Sequence, residues 1–362
     1  MATFGKTGVL LVNLGTPDQP TRGAVYRYLR QFLSDGRVID YPRPLRDLLV
    51  GGIIAPLRSG AFNPVKLSGS TKLYQELWTE NGSTLKYFGE RLAAGVQQRL
   101  GDEFVVELAM RYQNPSIQSA VDKLLDAQVS EIVVFPLFPQ YASATTGSVH
   151  QEVMRILSKR ETIPNVRLVN SYYDYAPMIK IFADNARTFD LDSYDHILFS
   201  YHGVPKRYLT KADDFNHCQK TPNCCQSISA VNQFCYSAQC YGTTCAIVAE
   251  LGLSEDRYTT CFQSRLGPEQ WAQPYTSTVL EEQAKRGAKR LLVFSPAFVA
   301  DCLETIIEIS DEYQEEFEEM GGEHVDLVPS LNDNPRWMDA VTELIRAEVP
   351  KSSPSALASH PH

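Results

Sequence analysis

The stretch Asp195-His196-Ile197-Leu198-Phe199-Ser200-Tyr201-His202-Gly203-Val204-Pro205 decides how the rest of the chain is read. Its apolar run, 197–199, reads as a buried parallel strand, and Gly203 and Pro205 forbid that strand to continue. In open α/β sheets ligands sit beyond the carboxyl ends of strands, so His202 stands where a side chain meets a ligand. A lone histidine at such a place more often merely caps a turn. The reading as a site comes from a second stretch, 295–305, which follows the apolar run 291–294 and delivers Glu304 at the start of a helix. A neutral imidazole facing a carboxylate across a cleft suits divalent-metal binding, proton transfer, or both.

Working outward, strand-like runs begin near positions 9, 105, 131 and 167, then again near 196, 259, 290 and 324. Helical spacing fills 24–33 and 85–100. The repeated order predicts an α/β fold of two similar Rossmann-like domains with parallel sheets, residues 1–165 and 166–348, and an active-site cleft between them. The tail 349–362, rich in Ser, Pro and Ala, reads as disordered. No Gly-x-Gly-x-x-Gly and no Walker lysine loop follows any strand, which argues against a nucleotide cofactor.

The chain has 362 residues, 43% hydrophobic and 21% charged, enough for a core in each half. A formal net charge of −9 argues against nucleic-acid binding. No run approaches the ~20 apolar residues of a membrane span, and no secretory signal is evident, so a cytoplasmic protein is expected. Eight cysteines there read as thiols or metal ligands, not a disulfide framework, and six of them fall between Cys218 and Cys245. After Glu304, the span 303–320 shows an apolar helical stripe (Ile306, Ile309, Tyr313, Phe317). Beside the stripe runs a ladder of carboxylates, Glu304, Glu308, Asp311, Glu312 and Glu315. Hard oxygen ligands of this kind suit a divalent metal ion in transit.

Ser200-Tyr201-His202-Gly203-Val204-Pro205 and Asp301-Cys302-Leu303-Glu304-Thr305 closely resemble the two signatures of ferrochelatases, the enzymes that insert ferrous iron into a porphyrin. Asn13-Leu14-Gly15-Thr16-Pro17, Phe262-Gln263-Ser264-Arg265 and Pro274-Tyr275-Thr276 resemble further motifs of that family, in the right order. Trp78-Thr79-Glu80-Asn81-Gly82-Ser83 does too, with Thr84 where proline is usual. The likeness spans about 7–347. It implies a lyase that makes protohaem from protoporphyrin IX and Fe²⁺, with His202 and Glu304 catalytic and His202, Glu304 and Glu308 meeting the metal. Coproporphyrin, or another metal and tetrapyrrole, are the alternative substrates. Relatives acting on cobalt or nickel typically carry a second histidine where Glu304 stands. Arg111 and Tyr112, at a strand end, suit the porphyrin carboxylates. Tyr201 and Phe298 are expected as aromatic walls. The proline-bracketed apolar segment 42–57 would form the lip of the cleft and touch a membrane weakly, peripheral to its inner face. The oligomeric state stays open.

The cysteine-rich insertion, 215–245, interrupts a region where plain ferrochelatases pass quickly into a helix, here expected over 242–251. Some relatives carry a [2Fe–2S] cluster on internal cysteines, and this chain resembles that kind. Such a cluster takes four thiolates. Cys218, Cys235 and Cys240 plus one of Cys224 and Cys225 are the expected ligands, with Cys245 spare inside the helix. Zn²⁺ on the same thiolates is the alternative. A non-enzymatic metal- or haem-binding sensor is the competing reading, and multiple turnover would exclude it.

Overall fold

The computed structural model describes residues 5–59, 69–265, 267 and 269–349, and of 53–59 the backbone alone. The first half runs β1 (Thr7–Gly15), α1 (Arg22–Leu33), α2 (Arg43–Ser59), α3 (Ser70–Leu77), α4 (Thr84–Leu100), β2 (Phe104–Tyr112), α5 (Ile117–Asp126), β3 (Glu131–Pro136), α6 (Ser148–Leu157) and β4 (Asn165–Leu168). After α7 (Ala176–Ala186) come β5 (His196–His202), α8 (Lys206–Lys211), α9 (Tyr236–Leu251), β6 (Tyr258–Gln263), α10 (Thr276–Lys285) and β7 (Arg290–Phe294). The acidic segment, α11 (Leu303–Thr305) through α12 (Gln314–Glu319), leads to β8 (His324–Leu327) and α13 (Pro335–Glu348).

These strands form two four-stranded sheets, all parallel, in the orders β2-β1-β3-β4 and β6-β5-β7-β8. The same order twice is the duplication legible in the sequence. β4 pairs with β3, so the first sheet ends after Leu168, a little beyond the expected division at 165/166. The segment 350–362 lies outside the described residues.

The central strands are apolar on both faces because helices cover both. Period-two alternation in β1 sends Val9 and Leu11 to one cluster and Leu10 and Val12 to another. In β5, Ile197, Phe199 and Tyr201 share one face and Leu198 the other. β1 and β2 approach so closely at their carboxyl ends that a Cβ on Gly15 would stand 2.1 Å from the Tyr112 carbonyl oxygen; only glycine fits. The helices do not stay with their own halves. α13 packs against α4 and α7, and α7 against α9, so the largest apolar cluster runs from Val9 through Phe199 to Trp337 and ties the two sheets together.

Two local readings change. Residues 306–313 wind as a π-helix between α11 and α12, and the wider turn puts Ile307 in the buried row with Ile309, Tyr313 and Phe317; Ile306 is only half-buried. The helix expected from 242 begins at Tyr236, so Cys240 is a buried helical residue and not part of the insertion loop.

Candidate active site

His202 is the last residue of β5, paired with Gln263 of β6. Its ring Nδ1 lies 2.7 Å from the Gly203 carbonyl oxygen. A carbonyl carries no proton, so Nδ1 must be the donor and Nε2 keeps its lone pair for a proton or a metal. The Phe298 ring stands edge-on, 6.4 Å from the imidazole centre.

Gln263 connects His202 to the acidic segment. Its amide donates to the Glu304 carbonyl at 2.9 Å and to Glu308 Oε2 at 3.1 Å, and its oxygen accepts from Ser200 Oγ at 2.6 Å. Glu308 is turned onto this network, with Ser264 Oγ on the same oxygen and Tyr313 Oη donating at 3.2 Å to the other. Tyr313 is five residues on, a spacing the π-winding brings into register. Glu304, half-buried, faces a protonated wall. Burial and then the Glu304 charge push the Tyr28 hydroxyl and the Cys302 thiol up, and neither ionises near neutrality.

Of the expected porphyrin contacts, Tyr112 and Tyr201 are buried, and Arg111 lines an open cleft with its guanidinium already paired. Arg111 donates through Nη2 to Asp35 Oδ2 at 2.6 Å and through Nε to Ser148 Oγ at 2.7 Å, so its charge is already paired inside the protein. Tyr112 has no exposed surface and donates to the same Asp35 oxygen at 2.9 Å. Tyr201 is equally buried and bonds Thr244 Oγ1 at 2.9 Å, because alternation along β5 puts it on the face opposite His202. Strand-end position alone did not tell a side chain facing the cleft from one facing a helix. In the lip segment Leu45, Leu48 and Leu49 are exposed, Leu48 by 73%, beside Arg43 and Arg46. The side chains of 53–57 fall outside the described residues. In the sequence Gln263 stands only as part of a motif; its place opposite His202 in the β5–β6 register is what makes it a neighbour of the site.

Beyond α8 a polar cleft of about 570 Å³ lies between Arg37, Asp40, Tyr141, Tyr208, Lys211 and Phe234; neither His202 nor Glu304 lines it. Next to it is a small pocket of about 30 Å³ walled by Cys218, Cys224, Cys225 and Cys235 together with His217. Side chains shape this loop more than regular structure does. Asp213 accepts from the Cys218 and Phe215 amides at 2.6 and 3.1 Å, and Asn232 donates to the Cys224 and Ser227 carbonyls at 3.1 and 2.8 Å. The Cys224 and Cys225 sulfurs are 3.5 Å apart. The Cys225 thiol and the Ser237 and Ala238 amides at the start of α9 draw the Cys235 thiol below its ordinary range, with burial opposing them. Cys240 lies below the pocket and burial pushes its thiol well up; Cys245 is exposed on the helix. Among the described residues no group of three or more His, Cys, Asp or Glu side chains is gathered tightly enough to hold a metal ion.

The ferrochelatase family model matches residues 6–349. The chain belongs to the ferrochelatase family. Ferrochelatases are metal-chelating lyases of haem synthesis, so Fe²⁺ and a porphyrin are the substrates to be accommodated. The ferrochelatase of Legionella pneumophila (strain Corby) is 40% identical over 344 residues, 95% of this chain and 100% of its own. That of Coxiella burnetii (strain Dugway 5J108-111) is 42% identical over 345 residues, 95% of this chain and 94% of its own. The solved structure of SirB from Bacillus subtilis with Fe³⁺ is a remote likeness, 11% identical with a TM-score of 0.48 over 95% of both chains. No helix among the described residues is long and apolar enough to cross a membrane.

Proposed function

We propose that this ferrochelatase inserts Fe²⁺ into protoporphyrin IX and that His202 and Glu304 carry the chemistry. Two pyrrole N–H bonds break, their electron pairs stay on nitrogen and two protons leave; iron gains bonds to all four ring nitrogens and keeps its oxidation state. The observation that carries the reading is the free Nε2 of His202, aimed by the Nδ1 bond to Gly203 and linked through Gln263 to the Glu304 backbone. Nε2 accepts a pyrrole proton, and the Glu304 carboxylate offers the second acceptor and a hard ligand for incoming iron. Phe298, standing at the imidazole, serves as a wall against which the macrocycle is held.

Fluorescence loss on mixing porphyrin, Fe²⁺ and protein tests the reading, with coproporphyrin run in parallel. Several turnovers per chain on protoporphyrin are expected. Glu304→Gln, which keeps the shape and removes the charge, should lower kcat by roughly 10²-fold or more with little change in porphyrin affinity. No turnover on either porphyrin overturns the assignment, and a mutant that loses only porphyrin affinity makes Glu304 a structural residue.

The thiol pocket fits a metal group in part. Two thiolates on one tetrahedral metal at about 2.3 Å stand about 3.8 Å apart, close to the 3.5 Å between Cys224 and Cys225. Cys218, Cys224, Cys225 and Cys235 share the pocket and would hold a [2Fe–2S] cluster; this set replaces the expected one that included Cys240. Such a group would supply a fixed cross-link to a loop otherwise held by Asp213 and Asn232. Anaerobically purified protein should contain about two irons and two acid-labile sulfides per chain. A colourless protein with one zinc would mean the rival metal occupies the thiols. The exposed leucines of α2 beside arginines support weak, peripheral contact with an anionic bilayer, which vesicle flotation checks.

A further inference from the structure

The thiol pocket and the His202 end of β5 are joined by one side chain. Tyr236 opens α9 immediately after Cys235, and its hydroxyl donates to the backbone carbonyl of His202 at 2.8 Å. The other end of the same peptide unit is also held. The Gly203 amide donates to the Gln263 carbonyl at 2.7 Å, and a Cβ on Gly203 would stand 2.8 Å from that oxygen. The next carbonyl along, that of Gly203, is the one that receives the imidazole Nδ1. A tilt of the 202–203 peptide therefore re-aims both the histidine Cα–Cβ bond and the group that holds its ring. Residues on the other side of Tyr236 belong to the insertion: Cys235, which walls the thiol pocket together with Cys225, is the N-cap of the helix that Tyr236 begins.

We propose that Tyr236 is a positioning residue for His202, and that through it the state of the thiol pocket acts on metal insertion. The argument rests on the reading of His202 as the proton acceptor, but Tyr236 itself touches neither substrate nor iron. Whatever cross-links Cys235 to the other thiols fixes the first turn of α9, and with it the donor that holds the His202 peptide. A loose pocket lets that turn fray, as helix ends do when uncapped.

The test uses the full chain. Tyr236→Phe keeps the ring and removes the donor. Expected are a kcat lower by roughly three- to tenfold, an unchanged KM for protoporphyrin, and a melting temperature close to wild type. In substrate-free protein the ¹⁵N resonances of the His202 imidazole should move away from a single Nδ1–H tautomer. Cys235→Ser should move the same resonances and kcat in the wild-type background but add nothing to Y236F. Cys245→Ser, on the exposed thiol of the same helix, should move neither. Unchanged kcat and unchanged His202 resonances in Y236F overturn the proposal; additive effects of the two substitutions overturn the link to the pocket. Should wild type itself fail to turn over, the functional reading falls, and the resonances still decide whether Tyr236 positions the ring.

Discussion

His202→Ala is expected to lower kcat by roughly 10²–10⁴-fold, the range for removing a positioned general base, while the protein folds and binds porphyrin nearly as before. The fold should survive because the contacts that hold this end of β5 are backbone contacts. The His202 carbonyl still accepts from Tyr236, and the Gly203 amide still donates to Gln263. Only the imidazole goes, and it is half-exposed with one hydrogen bond, to its neighbour's carbonyl. Single-turnover kinetics with protoporphyrin and Fe²⁺, alongside porphyrin titration and a thermal melt, separate the outcomes. A folded variant with near-normal turnover would remove His202 from the mechanism.

The largest stability effect is expected at Asp35. Its side chain is only 7% exposed and accepts from Arg111 Nη2 at 2.6 Å, Tyr112 Oη at 2.9 Å, Ser148 Oγ at 2.5 Å and the Arg37 amide at 2.7 Å. Asp35→Ala leaves the Arg111 guanidinium, 15% exposed, without its counter-charge. Breaking a buried pair by removing one partner costs about 3–5 kcal/mol. Burial alone would push the Asp35 carboxyl up, but Ser148, the Arg37 amide, Arg111 and Tyr112 outweigh it and hold the group below the ordinary carboxylate range. A depressed carboxyl contributes its stability fully above the unfolded-state value, about 3.9, and loses it as pH falls through the folded value. The gap in melting temperature between wild type and Asp35→Asn should therefore be constant from pH 7 to about 5 and narrow below about 4. A gap that is absent, or that widens in acid, would show that the charge of Asp35 does not hold this corner together.

Much of the molecule was legible without coordinates. The apolar runs that became β1 and β5, each ending in Gly and Pro signals, set the strand ends, and the repeated spacing set two parallel sheets of one order. The family motifs singled out His202 and Glu304 as candidates, because motifs of that kind are short contiguous segments. Both are local properties: a strand's burial shows in its own composition, and a turn shows in its own glycine and proline.

What only the tertiary structure decided depends on pairs of residues far apart in the chain. Arg111 looked free for a ligand until Asp35, 76 residues away, was found beneath it. Tyr201 looked like a cleft wall until α9 was seen to cover its face of β5. The early start of α9 places Cys240 in the core and not in the insertion loop, since a helix that begins at Tyr236 buries that sulfur. The apolar stripe shifted from Ile306 to Ile307 because the segment winds as a π-helix, which also brings Glu308 and Tyr313, five residues apart, within hydrogen-bonding distance. Sequence alone determined the fold and the family, and it singled out the two side chains proposed to react. Which polar groups are already spent on each other, and which remain for a substrate, is a matter of long-range packing, and only the folded chain brings those partners together.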